Sequence, residues 1–100
     1  MRISKALIVP LSISMLLCIN VALGSMVDVS VSLAGGNPVP GAAVYIDNEF
    51  VGNTWQDGWL RDLPVRPGDH IVRAEAQGAT GSDSFYVQYD GRETVKIILS

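Results

Sequence analysis

The chain has 100 residues, 48% of them hydrophobic and 17% charged, with 7 basic against 10 acidic side chains, one histidine and one cysteine. A length of this order suits a single domain, and a lone cysteine excludes an internal disulfide. The net charge of −3 argues against nucleic-acid binding driven by counterion release.

Met1, Arg2, Ile3, Ser4 and Lys5 place two positive charges ahead of an uncharged, mostly apolar run from Ala6 to Leu23, which is the layout of an export signal. Ala22, Leu23 and Gly24 form an Ala-x-Gly site, so the mature chain is expected to start at Ser25. The run is also near the roughly 18 to 20 apolar residues that span a bilayer, and an uncleaved anchor is the alternative, weakened by Pro10 and Asn20. In either case Arg2 and Lys5 on the short N-terminal side direct the body outside the cytoplasm, secreted or at the cell surface. Cys18 follows Leu17, where a lipoprotein signal needs a small residue, so lipidation is not expected.

From Ser25 onward the chain carries five basic and ten acidic side chains, a net charge of −5, which suits solubility more than a basic partner. About 76 residues remain, close to the limit at which burial alone stabilises a fold. Tight packing, a homo-oligomer, or docking on a larger envelope partner are the supports such a domain can use.

Val27, Val29, Val31 and Leu33 alternate with Asp28, Ser30 and Ser32, the period of a half-buried strand. Gly35, Gly36, Asn37, Pro38 and Pro40 then stop it. Ala42 to Asp47 reads as a second strand, with Asp47, Asn48 and Glu49 turning into Phe50, Val51 and Gly52. A polar loop of Asn53, Thr54, Gln56, Asp57 and Gly58 leads to a short strand from Trp59 to Leu63. Pro67 and Gly68 turn the chain again, and in His70 to Ala76 the set His70, Val72, Ala74, Ala76 opposes Ile71, Arg73, Glu75. After Gln77 and Gly78, a polar stretch to Asp83 precedes strands at Ser84–Tyr89 and Thr94–Leu99, around an Asp90-Gly91 hairpin signal. About seven short strands and no sustained helical period predict an all-β fold, a small sandwich of two antiparallel sheets. Val27 to Leu33 is a candidate exposed edge strand for association.

Candidates for chemistry are few. His70 has no second imidazole or cysteine in the mature domain with which to bind zinc. Its expected role is to start a strand with a ring nitrogen bonded to the preceding loop. No G-x-S-x-G supports a Ser-His-Asp triad. Asp47, Glu49, Asp57, Asp62, Asp69, Asp83 and Asp90 fall mostly in presumed turns and form no D-x-D-x-D-G calcium array, so they read as turn formers. No metal or cofactor is expected.

Trp55 and Trp59 flank Gln56, Asp57 and Gly58, so one turn can set two indoles near each other with polar groups between them. That arrangement suits a sugar or a protein hot spot. The competing reading has one or both indoles capping the open end of the sandwich. Tyr45, Phe85, Tyr86 and Tyr89 hold strand positions and read as core or sheet-face residues.

The segment G-N-P-V-P-G-A-A-V-Y-I, Gly36 to Ile46, followed by T-W-Q-D-G and L-P-V-R-P-G-D-H-I-V, Thr54 to Val72, resembles carboxypeptidase regulatory-like domains. V-Y-I-D-N-E-F-V-G-N-T with P-G-D-H-I-V also resembles the related PEGA domains. It departs from them where Pro40 abuts Gly41, where Asn48 stands in place of Gly, and where Trp55 stands in place of Pro. The resemblance covers about half of the mature domain. It implies a transthyretin-like β-sandwich and a non-catalytic structural or interaction module outside the cytoplasm. The hydroxyisourate hydrolases of that fold use more than one histidine and end Tyr-Arg-Gly-Ser, whereas this chain has one histidine and ends Ile97-Ile98-Leu99-Ser100. An enzyme is therefore not expected. A carbohydrate-binding module using Trp55, Trp59, Gln56 and Asp57 is the alternative to a structural or protein-interaction role.

Overall fold

Alternation of valine with Asp and Ser makes the central strand of a sheet. In the computed structural model, which describes residues 24–100, β1 (Met26–Leu33) pairs antiparallel with β4 (Trp59–Pro64) on one side and parallel with β7 (Arg92–Leu99) on the other. The second sheet runs β3 (Glu49–Asn53), β2 (Ala43–Ile46), β5 (Gly68–Ala76), β6 (Ala79–Val87), antiparallel throughout. The expected export segment, with Cys18, lies outside the described residues except for Gly24.

The two sheets face each other across an apolar core. Val27, Val29 and Val31 are fully buried from β1, as are Val44, Val72, Ala74 and Val87 from the opposite sheet, while Ile97 and Leu99 fill in from β7. Each such valine, isoleucine or leucine contributes about 1.5–3 kcal/mol on removal from water, which is how a domain of this size holds together. The result is a small, compact all-β domain of seven strands in two sheets, a β-sandwich.

Turn chemistry sets the registers. Asp47 (φ 52) and Asn48 (φ 70) form a two-residue left-handed connection that places Ile46 opposite Glu49, the geometry of a primed hairpin turn. Gln77 (φ 51) and Gly78 (φ 84) do the same between β5 and β6, with Ala76 opposite Ala79.

The structure corrects several expectations. Strand β1 is central, so Val27–Leu33 is not a free edge, and its pairing with β7 is parallel, so the three-stranded sheet is mixed. Leu33 is 45% exposed because the chain reverses there: its N–H donates to Asn37 O and its carbonyl accepts from Gly36 N.

Strand β6 begins at Ala79 inside the stretch expected to be loop. Its full pairing with β5 offsets its polar composition, and Gly81 lies so close to β7 that an added Cβ would stand 2.6 Å from Ile98 O. The Asp90-Gly91 turn exists, with Gly91 N–H donating to Gln88 O, yet it links strands of different sheets and makes no hairpin ladder. Ser25 wedges into that turn: its Oγ donates to Gln88 O and accepts from Asp90 N–H. Tyr89 is exposed beyond the end of β6, and Glu49, Asp62, Asp69 and Asp83 lie in strands, which leaves only Asp47, Asp57 and Asp90 of the expected carboxylates in turns.

Candidate functional site

Between β3 and β4 the chain passes from one sheet to the other through Thr54–Gly58, and this corner carries the residues singled out in the sequence. Trp55 N–H donates to Trp59 O and Gly58 N–H donates to Trp55 O, each at 2.9 Å, so the loop is a closed turn. Gly58 is buried with φ 81, and its carbonyl accepts from Val31 N–H of β1 at 2.8 Å. The turn is thereby bolted to the central strand of the three-stranded sheet.

Asp57 closes the turn from the side. Its Oδ1 accepts from Trp59 N–H at 3.0 Å and its Oδ2 pairs with Arg61 Nη1 at 3.0 Å. These two partners, the Trp59 amide first and the Arg61 guanidinium second, hold the carboxyl below the usual carboxylate range. Arg61 also lies over the Trp59 ring, 4.8 Å from its centroid. One face of Trp59 is thus covered by a cation, and the residue is half-buried beside Ser30 of β1.

Trp55 is different. It is 72% exposed, so it does not cap the core. With Gln56 and Asp57 it lines an open hollow of about 770 Å³ completed by Pro40, Gly41 and Thr54. A smaller recess of about 230 Å³ is lined by Trp55, Trp59, Arg61 and Asp62. The structure therefore brings Trp55, Gln56 and Asp57 together in one hollow and joins Trp59 to it only through the second recess. Sequence reasoning did not single out Pro40, Gly41, Thr54 or Arg61. The Asp57/Arg61 pair of opposite charges flanking the turn was the available signal.

Thr54 supports this corner from beneath. Although buried, it is fully bonded: its Oγ1 accepts from Ala42 N–H at 2.8 Å and donates to Val39 O at 2.6 Å, while its backbone N–H donates to Ala42 O. Replacing Thr54 with valine keeps the shape and strands two backbone groups. A loss of about 1–3 kcal/mol is expected, read as a lower midpoint in thermal denaturation followed by circular dichroism.

His70 occupies the opposite side of the fold from this turn's chemistry and has its own fixed place. As expected, a ring nitrogen bonds the preceding loop: Nε2–H donates to Arg66 O at 2.6 Å, although β5 itself starts at Gly68. Among the described residues no group of three or more His, Cys, Asp or Glu side chains is arranged to hold a metal ion. What the arrangement offers is an exposed indole on a turn of fixed backbone, lining an open hollow. No protein-family model matches the chain, and no curated protein matches it.

Proposed function

We propose that this domain is a non-catalytic interaction module, exported from the cytoplasm, that grips a protein of the cell envelope or surface through Trp55. The observation that carries this reading is an indole 72% exposed on a turn whose backbone is fixed at both ends. With the backbone already fixed, an indole has only two side-chain torsions left to order on contact, which suits a hot-spot residue.

A protein partner is favoured over a glycan by the polar groups around the hollow. Asp57 already accepts one bond on each oxygen, Thr54 Oγ1 is used twice, and Gly41 N–H donates to Thr54 O, so free donors in particular are scarce. Gln56 is left as the one side-chain amide there with no intramolecular bond among the described residues. A sugar needs several free donors and acceptors beside the ring it stacks on. The exposed indole beside the Gln56 amide keeps the carbohydrate reading as the second choice. The turn residues that resemble carboxypeptidase regulatory-like and PEGA domains, including Asn48 in the left-handed conformation usual for glycine, support a transthyretin-like assignment of the sandwich.

A photo-crosslinking residue introduced at position 55 in exporting cells tests the proposal. A discrete protein adduct outside the cytoplasm is expected. A polysaccharide adduct would transfer the site to the carbohydrate reading, and adducts formed only from a distant surface position such as Ile98 would move the interface elsewhere.

A further inference from the structure

His70 is flanked by two acceptors. Nδ1 lies 2.5 Å from Asp47 Oδ2 in the β2–β3 turn, and Nε2 lies 2.6 Å from Arg66 O in the segment between β4 and β5. Neither a carboxylate nor a carbonyl can donate, so both contacts are hydrogen bonds only when both ring nitrogens carry protons. The ring stacks on Phe85 of β6, centroids 5.3 Å apart, and its side chain is 11% exposed. It therefore has little freedom to turn away.

The charged groups around it come from several elements. Asp47 reaches it from the β2–β3 turn and is itself held by Ile71 N–H at 3.0 Å; Asp69 is its neighbour in β5. Glu49 of β3 and Arg66 line with it a hollow of about 310 Å³ that also includes Ile46, Val51, Pro64 and Val65. Burial opposes the charged ring, yet the bonds to Asp47 and Arg66 and the fields of Asp47 and Asp69 outweigh it, so the imidazole sits above its ordinary value of 6.5. The Asp47 carboxyl, bonded first of all by His70, sits below its ordinary value.

We propose that His70 is a proton-operated catch: with two ring protons it clamps the Arg66–Gly68 segment onto the β2–β3 turn, and with one it releases that segment. On deprotonation the remaining proton stays on Nδ1 against the Asp47 carboxylate, the stronger acceptor. The Nε2 lone pair then faces the Arg66 carbonyl, and the contact becomes repulsive. Val65 stays anchored through its N–H to Ser25 O and Gly68 through its pairing with Val87 of β6, so the movement is confined to Arg66 and Pro67. Gly68, at φ 119 where only glycine is unstrained, is the pivot at the end of that segment, and Arg66 moving away uncovers the hollow over Ile46 and Val65.

The sign is fixed by the directions of the two shifts. His70 stabilises the fold fully below the ordinary imidazole value, and this contribution is lost as pH rises through its elevated folded value. Asp47 contributes fully above the ordinary carboxylate value and loses its contribution as pH falls through its depressed one.

Nuclear magnetic resonance of the isotope-labelled full chain, in detergent where needed, tests the catch. The His70 ring nitrogens are expected to titrate with a midpoint above 6.5, and the Arg66 and Gly68 amide signals to shift with the same midpoint. In Asp47→Asn both midpoints should fall together, and in His70→Gln the amide signals should no longer respond to pH in that range. A ring midpoint below the ordinary value, or Arg66 and Gly68 signals that ignore the ring titration in the unmodified chain, would overturn the proposal.

Discussion

Gly58→Ala is expected to lower the thermal midpoint by about 10 °C or more, because one methyl group meets three obstacles. A Cβ there would stand 2.8 Å from Pro38 Cβ and 2.9 Å from Val31 O, and the residue holds φ 81, where an L side chain is strained. The left-handed backbone costs about 1–2 kcal/mol and the overlap about 1–3 kcal/mol more. A domain of roughly 80 residues has about 4–12 kcal/mol of stability in total, and each kcal/mol lost lowers its midpoint by about 4–8 °C. Neither obstacle moves cheaply: Val31 O belongs to the central strand, and Pro38 is held by its bridge to Ser32. Gly35→Ala is the matching control, with no atom within 4 Å of the new methyl and no positive φ, so its midpoint should stay level or rise slightly. A melt in which the two variants behave alike would contradict this account of the turn.

Trp55→Ala should have the opposite profile: an unchanged melt and a partner affinity weakened by about 30-fold or more, the loss of a hot-spot side chain. The indole makes no hydrogen bond from its ring nitrogen among the described residues and lies largely in solvent, so its removal takes little from the folded state. Trp59→Ala is expected to lower the melt as well, since it strips the half-buried indole beneath Arg61 and beside Ser30 from the β1–β4 ladder. Retention of the crosslinked partner, measured beside the thermal midpoint for each variant, separates the two roles. Equal loss of midpoint in both variants would make Trp55 a structural residue.

The local elements were legible because they depend on neighbours in the sequence. The β1 valines, the Asp47-Asn48 turn and the inward set Val72 and Ala74 follow from a period of two and from residues that tolerate positive φ. What sequence did not show was set by contacts between distant segments. Strand β7 joins β1 in parallel across nearly the whole domain, and no local pattern announces that pairing. The strand at Ala79 forms on β5 despite a polar composition, with Gly81 serving the approach of β7. At the site, the spacing of Trp55 and Trp59 was informative, whereas their different fates were not. Trp59 enters the β1 ladder opposite Ser30 and lies beneath Arg61, while the turn leaves Trp55 outside.

The most direct test is the fluorescence of a Trp59→Phe variant, in which Trp55 is the sole indole. Red, solvent-like emission that iodide quenches is expected, moving to the blue and gaining protection when an envelope protein fraction is added, with no change on adding envelope polysaccharides. Blue, iodide-resistant emission from the isolated domain, or red emission indifferent to the protein fraction, would contradict an exposed Trp55 anchor for a protein partner.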